Sequence, residues 1–323
     1  MAPTFTVIIP TFNRAAMLRQ ALDSVAAQSY QDYETVVVDD GSTEDVAEAV
    51  MDHVTRPRMI RQNQRGPAAA RNRGVMEARG KLVAFLDSDD LWLPDKLSVY
   101  AQRMRDRPDT SIWYGPMKPV DSALRPVPGR TKPCHGGQIT EALFHSSFVH
   151  VPTVVCPRET FLSFGGFDES LRVCEDYDLW LRMSLKCEFG RVESPLALRR
   201  LHRGRLSKSS MRRNLAVKAH VLQRFYESNG ANAGWNDADA RRRLSRVHFA
   251  AGRAAWWAGA FHDALRFFRA ARSYGAQPAR AWPLAASAFI LRMFERAPTS
   301  DAPVIAAPPA APPVPGTHSI RSG

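Results

Sequence analysis

Over its first hundred residues the chain alternates short apolar runs with segments of helical period. Phe5-Thr6-Val7-Ile8-Ile9 reads as a strand closed by Pro10, and Glu34-Thr35-Val36-Val37-Val38 as a second, stopped by Asp39-Asp40-Gly41-Ser42. A third lies near residues 58–62, and Lys81 to Leu86 form a fourth. Between them, Met17, Leu18, Leu22 and Val25 fall on one face of a helix that Asn13 can cap. A second helix is expected over about residues 43–53, and Gly66-Pro67 opens a third that Gly80 ends. Apolar strands alternating with helices make an α/β domain with a mostly parallel sheet covered on both faces. Ligands of such sheets bind outside the carboxyl ends of the strands.

Both acidic clusters stand at such ends. Asp39-Asp40 closes the second strand, and Asp87, Ser88, Asp89 and Asp90 close the fourth. Like charges this close repel one another unless something is held between them. Two carboxylates one residue apart can present oxygens to one Mg²⁺ or Mn²⁺, which keeps phosphate oxygens in its remaining positions. A helix-capping turn would need only Asp89 or Asp90, and Asp90 is the better candidate for anchoring the turn. No G-x-G-x-x-G follows the first strand and no G-x-x-x-x-G-K-[ST] occurs, so dinucleotide and P-loop chemistry lose their main support.

Charge narrows the partners. The net charge of +12 suits an anionic partner or an anionic surface. Arg199, Arg200, His202, Arg203, Arg205, Lys208, Arg212 and Arg213 crowd into a stretch without an acidic residue between Glu193 and Glu227. Aromatic and basic residues are not interleaved as in a nucleic-acid module, so no nucleic-acid partner is expected. The four cysteines are widely spaced, without C-x-x-C, which argues against a zinc module and fits a reducing compartment. No signal peptide is expected at the N-terminus, and the apolar stretch 281–294 is too short and interrupted to span a bilayer. The expected location is cytoplasmic, with the basic stretch and residues 281–294 offering peripheral attachment to the inner membrane face.

Downstream, residues 116–137 are rich in Pro, Gly and Lys and read as loops or a small antiparallel excursion. A helix begins near Glu175, and from about residue 211 the pattern is helical as far as about 296. Within it, Gly252, Gly259, Ala264, Phe268 and Ala271 have the spacing of one tetratricopeptide-like unit, which predicts a helical hairpin and leaves a protein partner open. Residues 297–323 are dominated by Ala and Pro and read as a disordered tail.

The segments "VIIPTFNR", "VVVDDGS", "NQRGPAAARNRG", "FLDSDD", "GGFDESL" and "EDYDLWLR" occur in this order and spacing. In this the chain resembles family 2 glycosyltransferases over roughly residues 4–208. The resemblance implies the GT-A fold, a Rossmann-like nucleotide-diphospho-sugar transferase architecture, here with a helical extension over 211–296. It further implies that Pro10, Thr11, Asn13 and Arg14 line a nucleotide pocket, and that Asp39 accepts a hydrogen bond from the base. Asp40 and Ser42 look structural. Arg71 would lie near the nucleotide or diphosphate, Asp87 with Ser88 at the ribose or metal, and Asp89 on the metal. Asp176 matches the general base and Glu175 its companion. "RLHRGRLSKSS" resembles a loop that closes over the diphosphate, with His202 and Arg205 as contacts.

The function so implied is inverting transfer of a sugar from a nucleotide-diphosphate donor, UDP-linked for preference, to a hydroxyl of a glycan or lipid-linked acceptor, as in surface polysaccharide synthesis. The implied cofactor is Mn²⁺ or Mg²⁺. A nucleotidyltransferase and a non-catalytic scaffold are the competing readings. The first would carry a Gly-rich basic loop where this chain has "PTFNR", and the second would not need the full set of carboxylates.

Overall fold

A computed structural model describes residues 2–128, 133–202, 204, 211–230 and 234–275. The chain opens with β1 (Phe5–Thr11), α1 (Ala15–Ala26), β2 (Tyr33–Asp39), α2 (Glu48–Met51), β3 (Arg58–Arg61), α3 (Pro67–Glu77) and β4 (Leu82–Phe85). It continues through β5 (Leu91–Trp92), α4 (Lys96–Asp106), β6 (Ile112–Tyr114), β7 (Met117–Val120), α5 (Thr140–His145), β8 (Val155–Pro157) and α6 (Arg158–Ser163). Then come α7 (Glu175–Ser184), β9 (Phe189–Arg191), β10 (Ala197–Arg200), α8 (Met211–Asn229), α9 (Asp237–Trp257) and α10 (Phe261–Ser273).

Seven strands form the main sheet in the order β3-β2-β1-β4-β8-β6-β9, and β5-β10-β7 form a small second one. All neighbours in the main sheet pair parallel except β8, which is antiparallel to both β4 and β6. β1 is buried along its whole length, and its side chains alternate between two cores. Val7 and Ile9 pack with α1 and α4 residues such as Leu22 and Leu97, whereas Ile8 joins Phe85, Phe161 and Trp180 on the other face. The helical extension belongs to that second core: Phe225, Leu244 and Phe268 lie in the same apolar cluster as Phe85 and Trp180.

Several sequence expectations change in detail. β1 does not close at Pro10 but runs on to Thr11, in register with Asp39. Leu86 N–H donates to the Ile8 carbonyl, and Asp40 N–H to the Thr11 carbonyl. Alternation then turns the missing Pro10 N–H toward β4, which has already ended, so the proline costs no ladder bond. Asn13 does not cap α1. It holds a left-handed φ of 49°, and its Oδ1 accepts from Thr43 N–H at 2.7 Å. Glu44 Oε1 returns the favour by accepting from Ala15 N–H at 2.6 Å, so the two loops cap each other. The helix expected over 43–53 shrinks to the single turn of α2, because this exchange commits residues 43–44 to a loop. The 116–137 excursion contributes β7 to the small sheet, parallel to β10, rather than a purely antiparallel excursion.

Two glycines fix the approach of elements around β1. A Cβ on Gly80 would stand 2.6 Å from the backbone of Phe5 and Thr6. On Gly74 it would meet Ile8 Cγ2 at 2.4 Å, so α3 and β4 lie against β1 only because those positions lack side chains. Farther on, α9 and α10 form the expected hairpin around Gly259 (φ 73°), with Gly252 facing the Phe268 ring. Residues 276–323, which include the apolar stretch 281–294 and the Ala/Pro tail, lie outside the described residues.

Candidate active site

β1, β2 and β4 end side by side and bring both acidic clusters to one edge of the sheet. At the β2 end, Asp39 is fully buried. Its Oδ1 accepts from Ser42 N–H at 2.9 Å. Its Oδ2 has no hydrogen-bond partner, and Arg61 Nη1 stands 3.4 Å away. Thr11, its register partner, likewise has a buried Oγ1 with no hydrogen-bond partner. Two adjacent buried oxygens left unsatisfied are costly in a finished core and natural in a ligand pocket. Asp40 is committed elsewhere, accepting from Gln62 Nε2, Arg65 N–H and Gly66 N–H at 2.8, 2.9 and 2.7 Å. It fixes the loop that enters α3.

At the β4 end, the turn Asp87-Ser88-Asp89-Asp90 is closed by Asp90 N–H donating to the Asp87 carbonyl at 2.9 Å. Asp87, Asp89 and Asp90 can each offer an oxygen within 4.8 Å of the others, and Ser88 is buried among them in sequence. Asp90 Oδ1 accepts from the backbone N–H of Arg200 at 3.0 Å, tying the turn to β10. Asp89 Oδ2 pairs with Arg14 Nη1 and His202 Nε2, each at 2.9 Å. Arg14 also donates to the Gly204 carbonyl at 3.0 Å, so His202 and Gly204 both reach the residues at the acidic turn. Arg205 falls outside the described residues.

Arg71 joins this turn to α7. Its Nη2 lies 2.6 Å from Asp87 Oδ1 and its Nη1 2.8 Å from Glu175 Oε1. The guanidinium also covers the Phe167 ring at 5.6 Å. The two carboxylates hold Arg71 firmly protonated despite its burial. Asn72, next in α3, clamps the preceding loop: its Nδ2 donates to the Phe167 carbonyl at 2.8 Å and its Oδ1 accepts from Phe167 N–H at 2.9 Å. Thus "ARN" and "GGF" are two halves of one contact. Cys174, at φ 62°, turns the chain sharply into α7, and Asp176 follows in the first turn. Burial, then the neighbouring Glu175 charge, push the Asp176 carboxyl up to about 7, against the pull of Arg71 and the Tyr177 N–H.

The arrangement therefore sets one carboxyl near neutrality beside an acidic turn balanced by two arginines and a histidine. It can accept a proton at one point and neutralise developing anionic charge a short distance away. Sequence reasoning singled out Arg14, Arg71, Asp87, Asp89, Glu175 and His202, and the structure brings these together. It missed Arg61 at Asp39, Phe167 beneath Arg71, and the Arg200 backbone at Asp90. Only Phe167 carried a signal, as part of "GGFDESL". A cavity of about 610 Å³ opens elsewhere, along β9 among Arg103, Arg107, Trp113 and Arg191; none of the predicted site residues lines it.

Comparison with known proteins agrees with this geometry. The family model described as Glycosyl transferase family 2 matches residues 6–154. An uncharacterized glycosyltransferase of Rickettsia felis is 29% identical over 201 residues, 62% of this chain and 33% of that protein. The chain thus spans about a third of the length of that relative. The amylovoran biosynthesis glycosyltransferase AmsB of Erwinia amylovora is 30% identical over 244 residues, 68% of this chain and 80% of AmsB. Among solved structures, S. aureus TarS 1-349 in complex with UDP-GlcNAc superposes with a TM-score of 0.64 at 18% identity, covering 90% of this chain and 92% of that one. The Pyrobaculum calidifontis mannosyltransferase PcManGT, in complex with GDP-Man and Mn²⁺, gives 0.54 at 21% identity, over 91% and 83%. The mixed, mostly parallel sheet flanked by helices is that of GT-A-type transferases.

Proposed function

The chain belongs to glycosyltransferase family 2, and from that premise we propose that it carries out inverting transfer from a nucleotide-diphosphate sugar to an acceptor hydroxyl. UDP is the favoured nucleotide, supported by the UDP-GlcNAc bound to TarS, and a glycan or lipid-linked sugar the favoured acceptor, the glycan being supported by the amylovoran biosynthesis of AmsB. The observation that carries the proposal is the Arg71 bridge, which ties the acidic turn at Asp87 to the helix bearing Asp176.

Donor recognition begins at the β1 and β2 ends. Asp39 Oδ2 faces Arg61 but accepts no hydrogen bond and can take the N–H of a base, and Thr11 Oγ1, also without one, can bond an oxygen of the base or ribose. Pro10 shapes the strand end, and Asn13 holds the 43–44 loop at the rim of this pocket. The donor diphosphate lies along Arg14 and His202, whose Nη1 and Nε2 already meet Asp89 Oδ2. Oxygen-only donors within 4.8 Å of one another fit a hard divalent cation such as Mn²⁺ or Mg²⁺. Asp87 and Asp89 would hold it, and it would supply neutralisation of the leaving diphosphate.

On the opposite face of the sugar, Asp176 removes the proton from the acceptor hydroxyl as that oxygen attacks the anomeric carbon. The proton ends on the carboxylate, and the anomeric carbon–phosphate oxygen bond breaks toward the diphosphate. A carboxyl near 7 matches a hydroxyl proton better than one near its ordinary value, at the cost of being only partly ionised at neutral pH. Glu175 orients Arg71 and raises Asp176 by its charge; it is not itself asked to take the proton.

A panel of nucleotide sugars with Mn²⁺ or Mg²⁺, read by thermal shift and by slow donor hydrolysis, tests the reading. UDP-sugars should stabilise the chain only with the metal, and Asp89→Asn should remove that dependence while the fold survives. Unchanged Mn²⁺-dependent UDP affinity in Asp89→Asn would refute the assignment.

A further inference from the structure

We propose that the outward faces of α9 and α10 form a docking surface for anionic lipid, with Trp257 seated at the membrane interface. α9 buries Ala240, Leu244, Val247, Ala251 and Ala255 on one side. Arg242, Arg246, Arg253 and Trp257 are all exposed. Their spacing places them within roughly 60° of arc on the opposite side of the helix. α10 repeats the division: Ala264, Phe268 and Ala271 are buried, while Arg266 and Arg269 are exposed.

Among the described residues, two of these five arginines have an acidic partner and three do not. Asp239 pairs with Arg242 and Asp263 with Arg266, each at 3.3 Å. Arg246, Arg253 and Arg269 make no ion pair among the described residues. Trp257 stands at the last turn of α9, beside the hairpin bend, and is 78% exposed. Its neighbour Trp256 is instead packed edge-on against Phe261 at 4.9 Å, so the exposure of Trp257 is not shared by every aromatic at the bend. The hairpin that presents these groups is tightly closed, with Gly252 against the Phe268 ring.

A soluble polyanion without bases would use the arginines but not a solvent-facing indole at the end of their row, and one indole is not the series of aromatics on which a single strand stacks successive bases. A bilayer surface uses both: indoles settle at headgroup depth, and guanidinium groups are drawn to anionic headgroups. The proposal does not rest on the transferase chemistry, since none of these residues touches the candidate active site.

The test is co-sedimentation of the full-length chain with phosphatidylcholine vesicles, with and without phosphatidylglycerol. Binding is expected only with the anionic lipid and weakens as salt is raised. Arg242→Gln/Arg246→Gln/Arg253→Gln should lower affinity about a hundredfold, each arginine contributing roughly fivefold. Trp257→Ala should lower it further at high salt, where the charges are screened. Melting temperature and donor affinity should not move in either variant, which separates loss of docking from loss of fold. Wild-type-like vesicle binding by the triple variant would overturn the proposal, as would equal binding to neutral vesicles. So would capture of heparin without capture of vesicles. Absence of binding by the full chain would overturn it too, as expected if residues 276–323 or a second copy covered this face.

Discussion

Replacing Asp176 by Asn keeps the shape of the side chain and removes its charge, and the site predicts opposite effects on turnover and stability. The carboxyl stands near 7 rather than at its ordinary 3.8 because it is buried next to Glu175. Keeping it ionised above neutrality therefore costs the fold up to about 4 kcal/mol. The side chain retains some contact with water, so about 2 kcal/mol is the expected gain on substitution. The sign follows from the raised value: the folded chain keeps a proton that the unfolded chain releases. That contribution is complete below the unfolded value and lost as pH rises through 7. Asp176→Asn should thus melt like the wild type only below about pH 4, pull ahead progressively between there and about 7, and melt about 4 °C higher above neutral pH. Transfer should fall by about 10²- to 10⁴-fold, the usual worth of a positioned base, with donor affinity retained. Thermal melts across the pH range, beside nucleotide-release assays, read both effects. A melting difference that does not vary with pH, or turnover close to wild type, would refute the reasoning.

Arg71→Met should be more damaging to the fold, because it strands two carboxylates that were paired at 2.6 and 2.8 Å. A loss of about 3–5 kcal/mol in denaturant unfolding is expected, and the pH midpoint for residual transfer should move upward as the charge that lowers Asp176 disappears. Gly80→Ala places a methyl 2.6 Å from the β1 backbone; it should cost about 1–3 kcal/mol, read as a lower melting temperature. In the wild type, kcat/KM should decline as pH falls below about 7, following protonation of Asp176.

The fold class was legible because it rests on local signals. Strand-length apolar runs alternate with amphipathic segments; β1 and β2 appear as runs rich in β-branched residues and β4 as a short apolar run. α7 begins at Glu175, where the acidic first turn marks it. The failures were just as local in origin. Asn13 has a good capping side chain, but the nearest backbone donors belonged to a loop thirty residues on. Pro10 is a terminator by rule, yet its missing donor faced a side where no strand remained. Residues 43–53 have helix-compatible composition, and the exchange with Asn13 and Ala15 left them only one turn.

Chemistry divides the same way. The sequence by itself determined which groups are available: carboxylates one residue apart after an apolar strand, an acidic pair opening a helix, arginines and a histidine where anionic charge must be met. Those are matters of residue type and spacing, and a chain carries them wherever it folds. Tertiary structure alone decided which charge answers which. Arg71 reaches both Asp87 and Glu175, Arg14 and His202 meet on one oxygen of Asp89, and Asp39 faces Arg61 while one of its oxygens and that of Thr11 lack a hydrogen bond. Such pairings span up to 113 residues of chain and depend on sheet order and burial. Electrostatic strength changes several-fold between water and a buried site, so no reading of spacing could have assigned Asp176 its value near 7.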